Sequence, residues 1–216
     1  MIVDHIFIFS NKGLEADELV EFGLTEGSGR THPGIGTANR RFFFENFYLE
    51  ILWVENESEA KSENSSPLKI WERSNFKNNN YSPYGLCFEN RANSDQFFKK
   101  SLKFQPEYYP QGKYMEVFIN EKHPYLPWFF RLPKIAGKRR NMGEPTEHNS
   151  LDIKKLTKTI FELKATKFKG DLTGSIQSNS AVEFIISSKN LLKLEFDNFQ
   201  QGKIRRFKKL NLEIHY

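Results

Sequence analysis

The stretch from His32 to Val54, HPGIGTANRRFFFENFYLEILWV, passes from spaced glycines through two arginines into a dense aromatic run that holds one carboxylate, Glu50. Glycines ahead of arginines invite a phosphate-loop reading, but such loops work through a succeeding helix whose N-terminal amides face the anion. The glycines here lead instead into RFFFENFYLEILWV, and neither G-x-x-x-x-G-K-[ST] nor G-x-G-x-x-G is present. The glycines are therefore expected to serve as loop turns or to bring backbone close to a pocket. The aromatic run predicts a hairpin, residues 40–44 and 47–54, turning around Glu45-Asn46, where Asn tolerates positive φ.

A two-residue turn sets the pairing: Phe44 with Phe47, Phe43 with Tyr48, Phe42 with Leu49, Arg41 with Glu50. Side chains alternate along each strand. One face then carries Arg40, Phe42, Phe44, Phe47, Leu49, Ile51 and Trp53, an apolar packing surface. The other carries Asn39, Arg41, Phe43, Tyr48, Glu50, Leu52 and Val54, the mixed composition of a ligand pocket. Two readings of Glu50 stand at this point, a cross-strand ion pair with Arg41 or a functional carboxylate.

Upstream, IVDHIFIF at 2–9 is β-branched and aromatic and predicts a strand. His5 shares a face with Val3, Phe7 and Phe9, so it is either a satisfied core histidine or a ligand or base. Leu14–Phe22 predicts a helix ended by Gly23. Residues 24–36 form a loop with room for a short strand. Downstream, ENESEAKSENSS reads as an exposed connector, and Ser66-Pro67 as the N-cap and N1 of a short helix through Trp71. The order then recurs: a strand at 84–88, a helix at 94–102, and strands at 104–108, 114–119 and 128–132. The plan is α+β, two βαβββ modules at 1–60 and 81–133 with a connector at 61–80. A basic linker at 134–149 leads to a β-rich C-terminal segment, 150–216, with the makings of a partial third module. There, 181–187 and 191–197 read as a hairpin around Lys189-Asn190, 210–215 as a last strand, and LDIKKLTKTIFEL suits helix and strand equally.

At 216 residues, with 21 Phe, 8 Tyr and 3 Trp, the chain can bury a sizeable core. No stretch approaches the ~20 apolar residues of a membrane span, and the N-terminus reads as a strand, not a signal peptide. Cys87 is the only cysteine; this excludes an intramolecular disulfide and a cysteine-rich zinc site and suits a reducing cytoplasm. Residues 1–80 hold 8 Lys/Arg against 13 Asp/Glu, and residues 81–216 hold 24 against 14. The basic surplus clusters only at KRR (138–140) and KIRRFKK (203–209), which favours a solvated basic face over nucleic-acid binding.

VDHIFIF, GLTEGSGRTHPGIGTANRRFFFENFYLEILWV and SPYGLCFEN together resemble the glyoxalase-like proteins of the vicinal oxygen chelate superfamily; LLKLEFDN and LNLEIHY near the C-terminus are similar too. The resemblance implies paired βαβββ modules whose sheets curl around a cavity. In metal-using members a His or similar ligand stands on a module's first strand and a Glu on its last, and His5 and Glu50 fall on those two positions. The second module lacks both: YGLCFEN has no His and PWFFRL no carboxylate. Two ligands are too few for a stable divalent site, so no cofactor is expected. The resulting expectation is a metal-independent enzyme or binding protein for a small, anionic or oxygen-rich molecule. Glu50 and His5 would be its catalytic residues, and His32, Thr37, Asn39, Arg41 and Tyr48 would bind the ligand. The alternative is a metal-dependent lyase, isomerase or dioxygenase with His5 and Glu50 as ligands to a divalent ion. Neither reading sets the oligomeric state.

Overall fold

The computed structural model describes residues 1–133, 143–149, 151–166 and 170–216. Most of the expected basic linker, including KRR at 138–140, lies outside these residues. The chain opens with β1 (Val3–Phe9), a 3-10 turn at Leu14–Ala16 and α1 (Asp17–Phe22), and continues through β2 (Arg30–His32), β3 (Thr37–Phe43) and β4 (Tyr48–Val54). α1 ends at Gly23, whose φ of 112° turns its N–H back to the Leu19 and Val20 carbonyls. The β3–β4 hairpin has the register expected from its turn, with Arg41 opposite Glu50 and Phe43 opposite Tyr48. The N–H of Phe44 donates to the Phe47 carbonyl at 2.8 Å and closes it.

Two short helices, α2 (Glu57–Ala60) and α3 (Ile70–Ser74), separate this unit from the next. The connector is thus partly helical, because Asn56 caps α2 by accepting from Glu59 N. The expected Ser66 cap is not formed; Ser66–Leu68 is a 3-10 turn, and Lys69 at φ 58° breaks it from α3. The second unit comprises β5 (Tyr84–Phe88), α4 (Asp95–Phe98), β6 (Leu102–Phe104), β7 (Met115–Phe118) and β8 (Trp128–Arg131). Its helix is shorter than its sequence promises, since Leu102 already belongs to β6, and Tyr108 stands in the β6–β7 loop and not on a strand.

The eight strands form one sheet in the order β2-β3-β4-β1-β5-β8-β7-β6. In each unit the first strand lies parallel to the last, and β1 and β5 meet antiparallel at the centre. The sheet is therefore pseudo-symmetric about its middle pair, which is the paired-module architecture.

Five further strands form a second sheet, β9 (Leu156–Lys164), β10 (Val182–Ser187), β11 (Leu191–Phe196), β12 (Ile204–Phe207) and β13 (Leu212–His215), in the order β10-β9-β11-β13-β12, with α5 (Gly170–Gln177) between β9 and β10 in sequence. The ambiguous LTKTIFELK segment is a strand, and it lies between β10 and β11, so those two runs are not a hairpin. Here too a central antiparallel pair, β9 and β11, is flanked by parallel partners, β10 and β13. In this pattern of strand directions the C-terminal sheet resembles the centre of the eight-stranded one.

The two sheets pack face to face. Phe44 meets Phe196 at 4.5 Å, Tyr84 meets Phe161 at 5.7 Å and Phe129 meets Phe184 at 6.0 Å between ring centroids. Each fully buried aromatic of this layer contributes about 1.5–3 kcal/mol by area. The apolar hairpin face, Phe42, Phe44, Phe47, Leu49 and Ile51, supplies one side of this core. The opposite face of the eight-stranded sheet carries a smaller apolar cluster and curls around a cavity. No described helix is long and apolar enough to cross a membrane.

Candidate functional site

The cavity measures about 590 Å³. All seven residues singled out from the sequence line it: His5 from β1, His32 from β2, Thr37, Asn39 and Arg41 from β3, and Tyr48 and Glu50 from β4. They converge because every second side chain on neighbouring strands points to the same face. Glu50 is 5% exposed and its partners are Asn39, which donates Nδ2–H to Oε1, and His5, whose Nε2 lies 3.6 Å from Oε2. Asn39 is oriented in turn by its Oδ1, which accepts from the Arg30 N–H at 2.9 Å.

His5 Nδ1 lies 2.6 Å from Asp4 Oδ1. Nδ1–H therefore donates to Asp4 and Nε2 is turned toward Glu50. Neighbours on a regular strand point to opposite faces, so Asp4 could not reach this ring from an ideal β1. The β1–β5 register shifts between Val3 and His5, and this irregularity brings the two together. Tyr48 stacks on the His5 ring at 4.3 Å and an interplanar angle of 13°, and Phe130 meets it edge-on at 5.3 Å. The result is a fixed row, Asp4–His5–Glu50–Asn39, set in aromatic walls.

Arg41 does not pair with Glu50, although the two face each other across the hairpin. Its Nε donates to the Ser28 carbonyl and its Nη2 to Ser28 Oγ, each at 2.6 Å, and Glu144 stands 3.7 Å away. The guanidinium also lies 4.9 Å from the Phe43 ring centroid. Burial works against the Glu144 carboxylate, but the Ser28 hydroxyl and N–H and the Arg41 charge hold its pKa below the ordinary value. Gly27 makes this approach possible: a Cβ there would meet the Phe43 ring at 2.5 Å and Glu144 Oε2 at 2.7 Å. His32 Nδ1 lies 2.9 Å from Thr37 Oγ1, and burial pushes this imidazole down, the nearby Glu50 charge only partly opposing it.

The far wall comes from the second unit and is not anticipated by the sequence reading. Tyr108, Tyr109, Met115, Trp128 and Phe130 line it, with Ile70 of α3. Arg30 at the mouth is a further addition; among the described residues it has no ion-pair partner. The two units are unequal in chemistry. Where the first pairs His5 with Tyr48 and Phe7 with Glu50, the second pairs Gly85 with Trp128 and Cys87 with Phe130. Gly85 carries no donor, and the Phe7 ring fills its space, 2.0 Å from where a Cβ would stand.

Among the described residues, one group places three candidate metal-binding atoms close together, Asp4, His5 and Cys87, all within 4.8 Å of one another. Asp4 and His5 are at hydrogen-bond separation there, closer than the ~2.9 Å between two ligands bonded at ~2.1 Å and right angles.

Residues 3–92 match the family described as a glyoxalase-like domain. Among solved structures, a hypothetical protein from Staphylococcus aureus superposes with a TM-score of 0.62 at 11% identity, over 98% of each chain. This likeness covers both sheets and shows the fold. A methylmalonyl-CoA epimerase in complex with methylmalonyl-CoA and NH4+ superposes with a TM-score of 0.40 at 14% identity, over 62% of this chain and 95% of that one. A Streptomyces coelicolor methylmalonyl-CoA epimerase variant in complex with 2-nitronate-propionyl-CoA gives 0.39 at 14% identity, over 61% and 96%. No curated protein matches the chain.

Proposed function

We propose, on the premise that residues 3–92 form a glyoxalase-like domain of the vicinal oxygen chelate fold, that the cavity binds a small oxygen-rich acid and that Glu50 and His5 move a proton on it without a metal. The observation that carries this reading is the Asp4–His5–Glu50–Asn39 row, buried save for the half-buried Asp4, opening on a cavity with arginines at its polar end. Arg41, braced by Ser28, and Arg30 at the mouth hold the ligand's anionic group by charge-assisted hydrogen bonds. Its remaining body lies against Trp128, Phe130 and Met115. Glu50 accepts a proton from a carbon beside the oxygenated group; the protonated Glu50, open to exchange with solvent, then returns a proton to the ligand directly or by way of His5 Nε2. Asn39 fixes the carboxylate by its N–H, and Asp4 holds the imidazole so that Nε2 faces the ligand.

The donor set supports metal independence. His5 and Glu50 supply two ligands, and the corresponding positions of the second unit are Gly85 and Phe130, which supply none. A second reading has one observation in its favour, the 3.6 Å between His5 Nε2 and Glu50 Oε2, a spacing that suits two ligands of one ion. It would make the protein a metal-dependent lyase, isomerase or dioxygenase.

Thermal-shift measurements against small hydroxy-, oxo- and aromatic carboxylic acids identify the ligand. Exchange of its acidic C–H with deuterated solvent, monitored by NMR, tests the chemistry. The expected result is a shift reduced in Arg30→Ala and Arg41→Ala, by about 10-fold or more in affinity, and exchange lost in Glu50→Gln with binding retained. Binding without exchange in the unmodified protein would make the cavity a carrier site. Stoichiometric metal in purified protein, lost when both His5 and Glu50 are replaced by Ala, would overturn metal independence.

A further inference from the structure

The eight-stranded sheet ends at β2 on one side and at β6 on the other, yet its two ends meet. The β6–β7 loop, residues 105–114, reaches across to the β2–β3 turn, residues 33–36. Tyr108 of the loop faces His32 at 6.1 Å between ring centroids. Gly34 lies so near Glu107 that a Cβ there would stand 3.5 Å from Cδ and 3.6 Å from Cγ. His32, Ile35, Tyr108 and Tyr109 all line the large cavity, so this seam borders it.

The two sides of the seam are held differently. The β2–β3 turn is fastened to the connector. Gly34 N–H donates to Glu59 Oε2 and the Gly34 carbonyl accepts from Ser65 Oγ, each at 2.6 Å. The Gly36 carbonyl accepts from the Glu55 and Asn56 N–H groups at 2.9 and 3.1 Å. The loop's backbone bonds among the described residues run within it: Tyr109 N–H donates to the Pro106 carbonyl and Lys113 N–H to the Pro110 carbonyl, each at 3.0 Å. Every residue from 107 to 114 is exposed or half-exposed, whereas Pro106 and Met115 at its two ends are buried. A segment with exposed backbone bonds and few buried apolar contacts, pinned at both ends, is the kind that opens locally while its surroundings stay folded.

We propose that residues 107–114 are a flap, hinged at Pro106 and Met115, which swings away from the β2–β3 turn to open the large cavity and latches back through Tyr108 and Glu107. The latch is light, a tilted ring pair and a van der Waals approach, and such closures make and break on the microsecond-to-millisecond scale of enzyme lids. Closed, the flap places Tyr108 on the rim above a site whose Glu50 and His5 are 5% and 3% exposed. The flap governs entry and not the chemistry within, so it is tested without any ligand and apart from the function proposed above.

A disulfide should lock it. In a Gly34→Cys/Glu107→Cys protein the sulfur at 107 takes the place of Glu107 Cγ, 3.6 Å from the new Cβ, near the ~3 Å that a relaxed disulfide keeps. The native Cys87 is buried and stays apart. Reaction with diethyl pyrocarbonate, followed by peptide mass spectrometry, reports access to His5; His123 and His215, which do not line the cavity, are references. The rate at His5 follows the open fraction, so it should fall at least about 10-fold in the oxidised protein relative to the same protein reduced and freed of reductant. His123 and His215 should react equally in both. Tyr108→Ala removes the latch ring and should raise the His5 rate several-fold. A His5 rate unchanged by the disulfide, or unchanged in Tyr108→Ala, overturns the proposal. So does a His5 that stays unmodified in the reduced protein while His215 reacts to completion. If the double-cysteine protein fails to fold or to oxidise, Tyr108→Ala decides.

Discussion

His148 ties the segment that carries Glu144 to the site-bearing hairpin, and acid should untie it. The side chain is 7% exposed, its Nδ1 accepts from the Thr25 N–H at 3.1 Å, and its ring lies 4.5 Å from that of Phe44. Burial pushes its pKa from 6.5 down to about 4, with the Phe43 backbone weakly opposing. Above pH 6.5 the imidazole is neutral whether the chain is folded or not. Between 6.5 and 4 the unfolded chain binds a proton that the folded one refuses, so stability falls as pH falls. For these two pKa values the loss between about pH 7.5 and about pH 5 is at most about 2 kcal/mol. Urea unfolding at both pH values, for the unmodified protein and His148→Asn, isolates the effect. Asn retains an acceptor for Thr25 but does not titrate, and every other group is common to both proteins, so its contribution cancels. The unmodified protein should lose about 2 kcal/mol more than the variant on acidification. Equal losses would refute the reasoning, because they would mean that burial of this ring does not hold it neutral.

Gly85→Ala would drive a Cβ to within 2.0 Å of the Phe7 ring. It should destabilise by about 1–3 kcal/mol in urea unfolding and lower affinity for any cavity ligand, since Phe7 lines that cavity. Tyr84→Phe removes the hydroxyl that donates to the Asn211 carbonyl at 3.1 Å between the two sheets. The expected cost is about 1 kcal/mol with unfolding still in one transition, and two separate transitions would show that the sheets are not one cooperative unit.

The site face is legible in the sequence because a single turn, Glu45-Asn46, sets the register of β3 on β4, and register decides which residues face the cavity. Arg41 opposite Glu50 is correct as a position and incomplete as a contact. The residues that hold Arg41, Ser28 and Glu144, lie 13 and 103 positions away, and nothing local announces them. Trp128 and Phe130 are hidden for a different reason. WFFR carries an aromatic on each face, Trp128 and Phe130 on one and Phe129 on the other, so alternation cannot say which residues line a cavity and which pack on the second sheet. Asp4 escapes because adjacency to His5 implies opposite faces on a regular strand, and the bulge that overrides this leaves no mark in composition. The expected β10–β11 hairpin fails because two strand-like runs joined by Lys189-Asn190 look alike whether they pair or admit a third strand between them. That β9 is this third strand is a long-range fact, carried by Phe161 and Leu163 in the core.

The inequality of the two modules has a stereochemical consequence. A cavity built by pseudo-twofold strand pairs would, with matched halves, receive a ligand in either of two orientations. Here His5, Glu50 and the arginines come from β1 to β4, while β7 and β8 offer Met115, Trp128 and Phe130. A bound molecule with a charged end, a reactive carbon and an apolar body meets three different surfaces and can satisfy them in one pose only. Under the proposed function, the lack of matching polar groups among the described residues of the second module turns a symmetric framework into a chiral receptor that presents one face of a prochiral carbon to Glu50.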